Sequence, residues 1–67
     1  LRPHPHDPEQ LAKELHRSDM GDVTPAEILG DMRAHPDLYF PDHMAACKRN
    51  GTLPMSELAW RRACRSA

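Results

Sequence analysis

Apolar residues in this chain recur at spacings of three and four, in short blocks separated by proline, glycine and capping residues. The first block, Leu11, Ala12 and Leu15, follows Asp7-Pro8-Glu9. Asp7 can accept from orphan backbone N–H groups, Pro8 needs no donor at the first helical position, and Glu9 suits the positive end of the helix dipole. A helix over about 8–20 is expected, with Gly21 as its stop. The second block opens on Val23-Thr24-Pro25-Ala26-Glu27-Ile28. Thr24 is the cap, Glu27 completes a capping box, and Val23 and Ile28 have staple spacing. Ile28, Leu29 and Met32 form its stripe, and Pro36 drives His35 out of helical geometry, so this helix covers about 25–35.

The stretch Pro36-Asp-Leu-Tyr-Phe-Pro41 holds two of the three aromatic residues between two prolines. It reads as a tight connector that plugs the core, with an exposed docking anchor at Tyr39 and Phe40 as the alternative. A third helix is expected over about 41–49, with Met44 and Cys47 following Phe40 along one face. Asn50-Gly51 supplies a left-handed stop. A fourth helix, about 55–66, starts behind Ser56. Its turns separate Ala59, Trp60, Ala63 and Cys64 from Arg61, Arg62 and Arg65 at about 100° per residue. Leu58 falls inside the arginine arc. No run of alternating β-branched residues exists. The expectation is therefore all-α: a small bundle of three to four short helices, with a core of Leu11, Leu15, Ile28, Leu29, Met32, Phe40, Met44 and Trp60.

Composition narrows the functional range. Sixty-seven residues bury only about 60% of the unfolded surface, which leaves little room for an enclosed active site beside a core. No catalytic motif is present, the glycines are isolated, and an enzyme is not expected. Residues 1–6, with prolines at 3 and 5, read as a flexible arm ahead of one domain over 7–67. The chain opens on Leu1 rather than Met, as a trimmed or partial chain would, and the opening lacks the apolar core of a signal peptide. No apolar run approaches membrane-spanning length, and a cytoplasmic setting is the expectation. The Ala/Arg-rich vocabulary points to a bacterial or phage origin.

Charge adds a direction. The net charge is −1, but residues 1–46 carry four Lys/Arg and nine Asp/Glu, while residues 47–67 carry five Lys/Arg and one acid. The plainer reading of this split is a solvated helix surface with attraction between the two halves; it also suits a basic face for an acidic partner. The leading expectation is a regulatory or protein-interaction module that docks on another protein, or on itself as a homodimer. Leu58, Arg61, Arg62 and Arg65 are its contact residues.

The stretch from His43 to Cys64 also resembles a helix-turn-helix in outline, since Ala46 and Gly51 precede an arginine-bearing helix. The resemblance covers about a third of the chain and implies a nucleic-acid partner as the second reading. Two positions depart from the pattern. Asn50 stands where an apolar residue usually precedes the turn glycine, and Arg61 falls at a position the motif buries.

Metal chemistry has one candidate set. His43 and Cys47 are spaced i, i+4 and can face one point, with Cys64 as a third ligand and His35 as a fourth. Without CxxC or HxxxH, the preferred reading is no metal and no cofactor, with two buried thiols and a surface His43. A Cys47–Cys64 disulfide is the alternative for an oxidising compartment. His4 and His6 sit in the expected arm, and Asn50-Gly51-Thr52 is read as a turn rather than a glycosylation site.

Overall fold

The computed structural model of the chain describes residues 4–18 and 22–67. These contain four helices and no strand: α1 (Pro8–Ser18), α2 (Pro25–Ala34), α3 (Pro36–Asn50) and α4 (Glu57–Ser66). The all-α bundle expected from the sequence is the fold. The Cα radius of gyration is 10.9 Å, close to the roughly 11 Å of a compact domain this size. The expected end of the first helix at Gly21, and the first three residues of the expected arm, lie outside the described residues.

Three of the capping side chains act as read. The Asp7 carboxylate accepts from Gln10 N at 2.8 Å, Thr24 Oγ1 from Glu27 N at 3.3 Å, and Ser56 Oγ from Ala59 N at 3.2 Å. Each satisfies a backbone donor that the first turn of its helix leaves open. At the other end of α3, Gly51 adopts φ 68°, and Thr52 N closes onto Cys47 O at 2.9 Å. A side chain there would meet the left-handed penalty that glycine avoids.

The third helix differs from expectation. The PDLYFP segment is not a connector but the first turn and a half of α3, which starts at Pro36 and carries Pro41 inside it. Pro36 occupies the first helical position, where its missing N–H costs nothing. Pro41 cannot donate to the Asp37 carbonyl one turn back, but both residues are exposed, so water can satisfy that oxygen. His35, with φ −135° and ψ 65°, is the single residue between α2 and α3.

The longer helix rearranges the core. Leu11, Ile28, Met32 and Trp60 are buried as expected, and Leu15, Leu29 and Phe40 pack against them part-buried. Met44 is 41% exposed instead, because α3 turns His43, Ala46 and Cys47 inward. Tyr39 is 8% exposed and donates its hydroxyl to Asp31 of α2, so it is not an exposed anchor. Burial and that carboxylate also fix its acidity, with the hydrogen bond to Asp31 the larger cause: the phenol is pushed up to about 12.

Trp60 lies at the centre. It is fully buried, its Nε1–H donates to Pro36 O at 2.8 Å, and its ring stacks on His43 with centroids 4.7 Å apart. This one side chain orients α4 against α3. A second tie joins α1 to the residues just before α2, where His16 Nδ1 lies 2.6 Å from Val23 O.

Candidate functional site

Two features remain once the core is accounted for: the outer face of α4 and a buried histidine cluster.

With Trp60 and Cys64 turned into the core, the rest of α4 follows from helical geometry. Leu58, Arg61, Arg62 and Arg65 are all exposed. Leu58 is 64% exposed, and it shares a shallow open depression with Glu57 and Arg61. Arg61 pairs with Glu57 at 3.1 Å in an exposed i,i+4 bridge, an arrangement worth about 0.3–0.5 kcal/mol and easily exchanged for another carboxylate. Leu53, in the segment leading into α4, is 87% exposed. The structure therefore places the four sequence-nominated contact residues on one accessible helix face.

The same geometry departs from a helix-turn-helix. Residues 51–56 separate α3 from α4, whereas that motif uses a turn of about three or four residues. Arg61, at a position the motif buries, faces solvent, as does Leu58.

The histidine cluster was not legible in the sequence. His43, read as a surface residue, is fully buried. Its Nδ1 lies 2.8 Å from His6 O, and its Nε2 accepts from Met55 N at 2.9 Å. With Nε2 an acceptor, Nδ1 carries the proton and donates to the His6 carbonyl. Burial holds the imidazole below its usual range, so the neutral ring is favoured.

His4 repeats this arrangement. Its Nδ1 accepts from His6 N at 2.9 Å, and its Nε2 lies 2.7 Å from Leu53 O. His6 is buried too, with Nδ1 3.1 Å from Glu14 Oε2 of α1. Within the expected arm, His4 and His6 are thus held against α1, α3 and the segment before α4.

Cys47 closes the cluster, with Sγ 3.6 Å from His43 Nε2. Ligand atoms of His4, His43 and Cys47 all lie within 4.8 Å of one another. The metal set nominated from sequence is therefore rearranged. Among the described residues, Cys64 falls outside the group although buried, and His35 is exposed. Both cysteines are free thiols, and burial pushes Cys64 up to about 11.

Comparisons with protein-family models, with curated proteins and with solved structures find no match to this chain. Among the described residues, no helix is long and apolar enough to cross a membrane.

Proposed function

We propose that this chain is a protein-docking module that binds an acidic, amphipathic segment of a partner protein through the outer face of α4. The observation that carries this reading is Leu58, a large apolar side chain 64% exposed among three exposed arginines on a helix whose opposite side is locked into the core. An isolated exposed leucine needs no explanation. One ringed by cations on a rigid helix offers an apolar anchor with a charged rim. The acidic character of the partner follows from complementarity with Arg61, Arg62 and Arg65. A cytoplasmic, regulatory role is consistent with this reading.

The test places a photo-crosslinking residue at position 58 in the full chain and identifies the captured peptide. A crosslink to an acidic stretch supports the proposal if Arg61→Glu with Arg65→Glu slows association and leaves the fold intact. Self-crosslinks, with a dimer in light scattering, redirect the reading to a homodimer. Crosslinking that charge reversal leaves unchanged refutes it.

Nucleic acid is the second reading, supported by the same arginines with Lys48 and Arg49 at the end of α3. A gel shift at low salt that disappears when Arg61, Arg62 and Arg65 become Ala would favour it.

A further inference from the structure

Independently of the α4 face, we propose that His4, His43 and Cys47 form a binding site for a borderline-soft divalent transition metal of the zinc class. Three observations carry the assignment. The first is the donor set, two imidazoles and a thiol, drawn from the N-terminal turn and one face of α3. Zinc and its neighbours accept these ligands, and three protein donors leave a fourth position for water.

The second is distance. Zinc–nitrogen bonds of about 2.0–2.1 Å and zinc–sulfur bonds of about 2.3 Å at a tetrahedral angle place nitrogen and sulfur about 3.5 Å apart. His43 Nε2 and Cys47 Sγ are 3.6 Å apart. All three donors lie within 4.8 Å of one another, and His4, the half-buried member, is the one with room to close on an ion.

The third is the state of the imidazoles. Each has one nitrogen against a backbone carbonyl: His43 Nδ1 at His6 O, 2.8 Å, and His4 Nε2 at Leu53 O, 2.7 Å. Metal-bound histidines are oriented in this way, with the second nitrogen kept as the lone-pair donor. In the structure those lone pairs accept from Met55 N and His6 N, both at 2.9 Å. Binding exchanges these bonds for metal–nitrogen bonds, and the Met55 and His6 amides then take other partners. Cys47 passes its proton to solvent as the thiolate coordinates, so binding weakens as pH falls.

The site is tested by titrating the reduced full-length chain with Co²⁺ and with Zn²⁺, following absorbance and the Met55 backbone amide by NMR. The expected result is one equivalent of cobalt with a thiolate-to-metal charge-transfer band, displaced by zinc, and a shifted Met55 amide. Cys47→Ser should remove the band. His4→Ala should weaken binding by roughly 10–100-fold or more, since even partners beyond the ligands count for that much. Cys64→Ser should keep the band. His4 is only half-buried, so His4→Ala decides the matter if either cysteine variant fails to fold. No binding to the folded parent, a band that survives Cys47→Ser, or unchanged affinity in His4→Ala overturns the proposal.

Discussion

Replacing Trp60 tests the account of how α4 is held. A 67-residue domain at about 0.05–0.15 kcal/mol per residue has roughly 3–10 kcal/mol of stability in total. Trp60→Phe keeps an aromatic ring over His43 but removes the N–H that reaches Pro36 O and three heavy atoms of a fully buried side chain. The lost hydrogen bond is worth about 1 kcal/mol, and the lost packing brings the sum to about 2–3 kcal/mol. At about 4–8 °C per kcal/mol for a domain this small, the melting temperature should fall by roughly 10–20 °C. Trp60→Ala also removes the stack on His43 and opens a larger cavity, costing about 3–5 kcal/mol, a large share of the stability available. Thermal and urea denaturation followed by far-ultraviolet circular dichroism reads both. Leu58→Ala, on the exposed side of the same helix, is the control and should stay within about 0.5 kcal/mol of the parent. A Trp60→Ala chain that melts within a few degrees of the parent refutes the reasoning, as does a Leu58→Ala chain that loses as much as Trp60→Phe.

The glycines should respond in opposite directions. Gly30 is exposed inside α2 with nothing within 4 Å of an added Cβ, so Gly30→Ala should stabilise by about 1 kcal/mol. Gly51→Ala has the same open space, but at φ 68° it should destabilise by about 1–2 kcal/mol; urea midpoints that move together contradict this. Tyr39, the sole tyrosine, should titrate near 12 in the folded chain by ultraviolet phenolate absorbance. Its folded value is raised above the ordinary value of about 10, so its contribution is complete below pH 10 and is lost as pH rises toward 12. A folded-state midpoint at 10, or no downward move in Asp31→Asn, counts against the hydrogen bond to Asp31. Ser56→Ala and Thr24→Ala should each cost about 1 kcal/mol by removing a helix cap, and a neutral result in both means the caps contribute nothing.

Much of the secondary structure was readable because helix starts are local chemistry. Asp7, Thr24, Ser56 and Gly51 act on backbone groups within a few residues, so their roles survive folding unchanged. The division of α4 was readable for a similar reason, since helical periodicity alone puts Trp60 and Cys64 opposite Leu58 and the arginines. Pro41 was the local signal that misled. Proline inside a helix removes one donor and crowds the carbonyl one turn back, but α3 carries Pro41 on an exposed face, where water can reach the orphaned oxygen. Once α3 began at Pro36 rather than Pro41, its inward face was a tertiary matter. Packing against Trp60 brought in His43 and Cys47 and left Met44 partly outside. The histidine cluster belongs wholly to that second level. His4 and His43 are 39 positions apart in sequence, and Leu53 and Met55 contribute backbone atoms that no side-chain pattern reveals. The sequence by itself determined where helices begin and which face of α4 is polar, because those depend on neighbours along the chain. Only the tertiary structure decided that the imidazoles and the Cys47 thiol meet, because that depends on how the N-terminal turn and the segment before α4 close over α3.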